Sequence, residues 1–146
     1  MRKFFKTKTI TAVLLMLTPL APCASFAELV VIANRDLPIS SLTQEEIYRI
    51  YLGKTKFLSN GVKVIPVDQQ SGSPSRDKFY SDVIKKSDTE IKSYWSRVIF
   101  TGQGYPPIQE SDDKAVRDLV AKNPNCMGYV DKSVVDGSVK IVYTAP

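Results

Sequence analysis

The chain has 146 residues, of which 43% are hydrophobic and 24% are charged, a composition typical of one globular domain. It contains no histidine, which excludes histidine-based catalytic triads, histidine general bases and histidine metal ligands. The net charge is +5, but residues 28–146 hold 16 basic and 15 acidic side chains, so the charge of this part does not indicate binding to nucleic acid or to a membrane surface.

The first segment has the layout of an export signal. Four basic residues precede an apolar run, Ile10 to Leu20, which is too short to cross a bilayer. Ser25-Phe26-Ala27 then supplies the small residues that signal peptidase prefers. We expect residues 1–27 to be a signal peptide cleaved after Ala27, which places residues 28–146 in the periplasm or outside the cell. A lipoprotein signal ending at Cys23 is the alternative, and Pro22 directly before that cysteine argues against it.

The next segments alternate between strand and helix patterns. Leu29 to Ala33 is a short apolar run that predicts a strand. Thr43 and Glu46 have the spacing of a capping box, which predicts the start of a helix, and Gly53 is placed to end it. Asn60-Gly61 predicts a turn before a strand from Val62 to Val67.

The same alternation continues to the end of the chain. A second capping box begins at Ser87, and its helix carries Trp95, which we expect to be largely buried. The other predicted elements are a helix from Pro74 to Lys85, a loop from Thr101 to Ile108, a helix from Asp112 to Lys122, and strands from Met127 to Val130 and from Val139 to Tyr143. This order predicts an α/β fold with a central mixed sheet flanked by helices.

One turn has the residues of an oxyanion site. A β-branched run stops at a serine- and glycine-rich turn, and a predicted helix follows it at once. The N-terminus of a helix presents backbone N–H groups without intrahelical partners at the positive end of the helix dipole. Serine hydroxyls can donate beside them, and an arginine adds positive charge. The candidate anion-binding residues are Ser71, Gly72, Ser73, Ser75 and Arg76; the alternative is an ordinary capped turn, which favours the same residue types.

Other candidate sites have structural explanations. Asp112-Asp113 could bind a metal or act as an acid and a base, but acidic residues are also favoured at a helix N-terminus. Cys126 has no partner once Cys23 is removed with the leader, and its apolar neighbours indicate a small buried residue. No nucleophile and base form a recognisable pair. We therefore predict no catalytic residues, no metal and no cofactor.

Taken together, the ordered segments resemble the periplasmic phosphate-binding subunit of ABC importers, in the type II periplasmic-binding-protein superfamily. The resemblance extends from about Leu29 to Thr144 and matches only the second lobe of that two-lobed family. The segments that carry it are Ser41-Leu42-Thr43, Ile50-Tyr51-Leu52-Gly53-Lys54, Val64-Ile65-Pro66-Val67, Ser71-Gly72-Ser73, Trp95, Gly102-Gln103-Gly104 and Met127-Gly128-Tyr129-Val130.

The resemblance implies a single binding-protein lobe with anion contacts at the family's Ser-Gly-Thr turn. That turn falls on Ser71, Gly72 and Ser73, with a serine in place of the threonine. Family members have an arginine shortly before the turn, where this chain has Val67-Asp68-Gln69-Gln70. Either Arg76 replaces that charge from the following helix, or the charge is missing.

The expected function follows from the same resemblance. We expect an exported, non-enzymatic protein that binds phosphate or a similar oxyanion, as an ancillary component of an ABC phosphate importer. The alternative is a protein-interaction or scaffold module that kept the fold and lost the ligand, since fold does not fix function. One open lobe leaves an anion hydrated, so we expect weak binding unless a permease or a second copy of the chain completes the cleft.

Overall fold

The computed structural model describes residues 28–146, so the predicted signal peptide and Cys23 lie outside the described residues. Strands and helices alternate along this part of the chain. The elements are β1 (Leu29–Asn34), α1 (Gln44–Tyr51), β2 (Ile65–Gln69), α2 (Pro74–Phe79) with a π-helical turn (Tyr80–Ile84), α3 (Asp88–Phe100), β3 (Ile108–Glu110), α4 (Asp113–Lys122), β4 (Cys126–Asp131), a 3₁₀ turn (Lys132–Val134) and β5 (Val139–Thr144).

The five strands form one mixed sheet in the order β3-β2-β4-β1-β5. β2 runs parallel to both of its neighbours, with Val67 opposite Ile108 in β3 and Ile65 opposite Cys126 in β4. β1 is antiparallel to β4 and to β5. The predicted α/β fold with a mixed central sheet is therefore confirmed.

The helix ends follow the predicted capping chemistry. The side chain of Thr43 accepts a hydrogen bond from the N–H of Glu46, and the side chain of Glu46 accepts from the N–H of Thr43. The same reciprocal pair forms between Ser87 and Glu90 at the start of α3. Gly53 follows α1 with a φ of +67° and donates its N–H to the carbonyl of Ile50, as the C′ position of a helix requires.

Both faces of the sheet are buried, each against its own set of side chains. On one face, Tyr129 of β4 stacks on Phe79 with ring centroids 4.0 Å apart, and Tyr51 meets the edge of Phe79 at 4.7 Å. The other face packs on α4 through its buried Val116 and Val120. The burial predicted for two other residues is confirmed, because Trp95 is 7% exposed and Cys126 is 4% exposed.

The predicted boundaries shift at three places. The strand expected over Val62 to Val67 forms over Ile65–Gln69, because the N–H of Val64 bonds instead to the carbonyl of Lys56. The helix expected to reach Lys85 changes to π-helical geometry at Tyr80, and Lys85 ends it with a φ of +61°. The predicted loop ends in the short strand β3, which the alternation pattern did not reveal.

At Gly128 the sheet packs closely against α4. A Cβ at this position would lie 2.4 Å from Cγ1 of Val116 and 3.3 Å from Cγ2 of Val120. We expect Gly128→Ala to lower the free energy of unfolding by about 1–3 kcal/mol, because the helix must move away from the sheet. Urea denaturation of residues 28–146 measures this change.

Gly137 provides the matched control for this substitution. A Cβ there would meet no heavy atom within 4 Å, and its φ is not in the left-handed region. Gly137→Ala should therefore change stability by less than about 0.5 kcal/mol. Equal effects at Gly128 and Gly137 would contradict the close packing described here.

Candidate functional site

The predicted anion-binding turn connects β2 to α2. Ser71 and Gly72 are exposed, and Gly72 has a φ of +92°, which suits glycine at the third position of a tight turn. The N–H of Ser73 donates to the carbonyl of Gln70 at 3.2 Å and closes that turn. The amide of Ser73 is thus already bonded within the chain.

The polar groups around the turn differ in whether they already donate a hydrogen bond within the chain. The hydroxyl of Ser73 donates to Oε1 of Gln69 and makes no cap hydrogen bond to α2. Ser75 is half-buried, and its hydroxyl makes no hydrogen bond within residues 28–146. The N–H groups of Gly72, Ser75 and Arg76 also have no acceptor in this part of the chain. Backbone amides are therefore the main donors that remain at the turn.

Arg76 is buried, and its guanidinium group contacts carboxylates of the same chain. Its Nη1 lies 3.1 Å from Oδ2 of Asp68, and its Nη2 lies 3.4 Å from Oδ1 of Asp88. The guanidinium also lies over the ring of Tyr80, 4.5 Å from the centroid. The arginine that the sequence suggested for an external anion thus has an internal carboxylate as its partner.

Asp68 is the centre of this buried cluster, although it was not among the residues predicted for the site. It accepts hydrogen bonds from Arg76, from the hydroxyl of Tyr80 at 2.8 Å and from the hydroxyl of Tyr129. Burial, and secondarily the charge of Asp68, raise the pKa of Tyr80 and of Tyr129 well above the usual tyrosine value. Both hydroxyls therefore stay protonated and act as donors to the carboxylate.

Gln69 connects the turn to the rest of the sheet. Its Nε2 donates to Asp113 Oδ1 at 2.7 Å and to the carbonyl of Tyr129 at 3.0 Å, while its Oε1 accepts from Ser73. Because every polar group of this side chain is used, Gln69 holds the turn in place and is not available to a ligand. Asp113 is therefore a structural partner.

Asp112 also has a structural role. Its side chain accepts a hydrogen bond from the N–H of Ala115 at 2.8 Å, as an N-cap does for a helix.

Within residues 28–146, no group of three or more histidine, cysteine, aspartate or glutamate side chains is arranged to hold a metal ion. In the same part of the chain, no helix is long and apolar enough to cross a membrane.

The fold that carries this turn is similar to the fold of part of several solved structures. No protein-family model matches the sequence. Among solved structures, the fold is similar to that of an ABC-type phosphate transport receptor from Vibrio cholerae, with a TM-score of 0.63 and 22% sequence identity. It is also similar to a Clostridium perfringens protein described as a phosphate ABC transporter substrate-binding protein with bound phosphate (TM-score 0.65, 23% identity), and to PstS from Borrelia burgdorferi (0.60, 16%).

These matches cover 80% of this chain but only 44–46% of the other chains, so the chain spans less than half the length of the receptors it matches. At identities of 16–23%, the similarity establishes the fold. The chain thus has the fold of one lobe of a phosphate ABC transporter substrate-binding protein. The Vibrio cholerae and Clostridium perfringens proteins are described as transport proteins.

Proposed function

We propose that this chain is an exported, phosphate-receptor-like lobe that binds phosphate or a similar oxyanion at the turn between β2 and α2. The observation that carries the proposal is the set of free backbone N–H groups at Gly72, Ser75 and Arg76, on a fold shared with phosphate receptors. Backbone donors at a helix N-terminus suit an oxyanion without any further residue type. The hydroxyls of Ser71 and Ser75 can donate beside them.

The charge of the site is lower than the sequence suggested. Asp68 already neutralises Arg76, so the guanidinium adds little net attraction for an anion at the turn. Ser71 and Gly72 are exposed, so a bound anion would keep much of its hydration. We therefore propose affinity in the millimolar range for the lobe alone, and tighter binding where an importer permease or a second copy supplies the opposite wall.

The Asp68–Arg76 pair also favours a second candidate function. Because Arg76 is paired with the buried carboxylate of Asp68, its guanidinium group is not available to an external anion. This pairing suits a lobe that no longer binds a ligand and serves as a protein-interaction or scaffold module. The two candidates differ in one measurable property, because only the first requires the turn to bind an oxyanion.

Calorimetric titration of the mature domain with phosphate tests the proposal. Ser71→Asp places a negative charge on the exposed turn and leaves the buried cluster intact. We expect it to weaken phosphate binding at least tenfold, because like charges repel at this short distance. If self-association completes the cleft, the measured affinity should also rise with protein concentration.

Ser59→Asp is the matched control, since it makes the same change of charge at an exposed position before β2. It should leave the affinity within about twofold of the unmodified protein, allowing for screening by salt. A folded domain that shows no saturable heat with phosphate would support the scaffold function. Equal effects of Ser71→Asp and Ser59→Asp on the phosphate affinity would also support the scaffold function.

A further inference from the structure

A second surface of the molecule has the features of a binding site. Four large apolar side chains within ten residues are exposed: Ile99 (46%), Phe100 (92%), Tyr105 (85%) and Ile108 (54%). Single exposed apolar residues are ordinary, but such a concentration marks a contact surface. None of these residues lies at the turn between β2 and α2.

The backbone that carries these side chains is held by hydrogen bonds. After α3, the N–H groups of Thr101, Gly102 and Gln103 donate to the carbonyls of Arg97, Ile99 and Val98, each at 3.0 Å. Gly102 adopts a φ of +69°, which allows the chain to reverse there. Pro106 and Pro107 then restrict the segment that leads into β3. The aromatic side chains are therefore presented by an ordered segment and not by a loose one.

A groove of about 260 Å³ lies beside this segment. We call it the Tyr105 groove; its lining includes Tyr105, Pro107, Ile108, Trp95, Lys56 and Lys63. Both lysines are exposed, and among the residues that the structure describes no acidic side chain lines the groove. The positive charge of the two lysines therefore favours an occupant with acidic groups. The apolar lining residues favour contacts with apolar side chains of the same occupant.

Trp95 forms part of the wall of the groove. The indole borders the groove and is 93% buried, since its exposed fraction is 7%. Its Nε1–H is buried and has no hydrogen-bond acceptor within residues 28–146. Buried donors without an acceptor are rare and each calls for an explanation. Because the Nε1 atom itself is not exposed, this donor is not available to an occupant of the groove as the structure stands.

The strand next to the groove is also unpartnered on one side. β3 is the edge strand of the sheet and pairs with β2 alone within the described residues. Edge strands accept extended peptides, whose main chain bonds to the free edge while alternate side chains enter neighbouring pockets. An extended segment on β3 would pass over Ile108 and reach the groove.

We propose that the Tyr105 groove and the edge of β3 bind an extended acidic segment of another protein. Carboxylates of the segment pair with Lys56 and Lys63, and apolar side chains contact Tyr105 and Ile108. The groove lies at the start of β2 and the oxyanion turn lies after its end, roughly 15 Å away along the strand. The two sites are therefore separate, and this proposal does not depend on phosphate binding.

Selection from a displayed library of random peptides on the mature domain tests this proposal. We expect the selected peptides to be enriched in Asp and Glu interspersed with apolar residues. Their affinity should fall at least tenfold for the double variant Lys56→Glu/Lys63→Glu. Lys114→Glu/Lys122→Glu, which makes the same charge change at two exposed positions on α4, should retain affinity within about twofold once salt screens the net charge.

NMR locates the binding without the use of variants. The chain contains one tryptophan, so its spectrum has one indole N–H signal. A selected acidic peptide should shift that signal, and phosphate should not. Peptides without acidic enrichment, equal binding to both lysine double variants, or an unmoved indole signal would each overturn the proposal. Binding to phosphatidylglycerol vesicles that depends on Phe100 and Tyr105, in the absence of peptide binding, would overturn it in favour of a membrane surface.

Discussion

Replacing Arg76 by alanine should lower the free energy of unfolding by about 3–5 kcal/mol. The substitution leaves the carboxylate of Asp68 inside the protein, where the residue is 3% exposed, without its opposite charge. The hydroxyls of Tyr80 and Tyr129 and the backbone N–H of Gln69 remain as donors, but these three neutral donors do not replace the opposite charge of a buried carboxylate. Chemical denaturation followed by circular dichroism measures the loss.

An exposed ion pair in the same region provides the control. Lys92 contacts Asp88 at 2.6 Å, with side chains that are 65% and 45% exposed. Lys92→Ala should change stability by less than about 1 kcal/mol, because water screens this pair. The double variant Asp68→Asn/Arg76→Met should lose less than the two single variants together, since it removes both charges. An Arg76→Ala variant no less stable than Lys92→Ala would contradict the buried pair.

Truncating Trp95 to alanine should have an effect of similar size, about 3–5 kcal/mol. The indole is 7% exposed and meets the ring of Tyr94 edge-on, with centroids 5.1 Å apart. Its ring edge also packs on the turn after α1, where a Cβ on Gly53 would lie 3.2 Å from Trp95 Cη2. The variant leaves a cavity between α3 and that turn, which thermal denaturation reports as a lower Tm.

Two further substitutions test whether a loss of stability in Trp95→Ala comes from the lost packing of the indole. Trp95→Phe keeps an aromatic ring in the site and should lose clearly less stability than Trp95→Ala. Phe100→Ala removes a side chain that is 92% exposed and should change stability by less than about 0.5 kcal/mol. If Trp95→Ala destabilises no more than Phe100→Ala, the indole is not part of the core.

The sequence predicted the fold well because its local signals agree with the tertiary structure. The capping boxes at Thr43 and Ser87 and the stop at Gly53 each depend on residues close in the chain. Such local chemistry is readable without knowledge of the packing. The short strand β3 was not predicted, because three residues carry no periodic pattern and only pairing with β2 defines them.

The candidate site was predicted less completely, because its main contacts join distant residues. The turn itself was found from its residues, but the partner of Arg76 was not. Asp68 and Tyr129 are 61 residues apart, and only the parallel pairing of β2 with β4 brings them together. The available signal in the sequence was an acidic residue, Asp68, directly after the apolar run Ile65 to Val67 of a predicted strand. A charge in that position needs a buried partner.

The most direct test of the proposed function is an NMR titration of residues 28–146 with phosphate. The amide signals of Gly72, Ser75 and Arg76 should shift in a saturable way with a midpoint in the millimolar range, while the indole signal of Trp95 stays in place. If these amide signals do not move while the spectrum remains that of a folded protein, the turn does not bind phosphate and the proposal of an oxyanion-binding lobe is wrong.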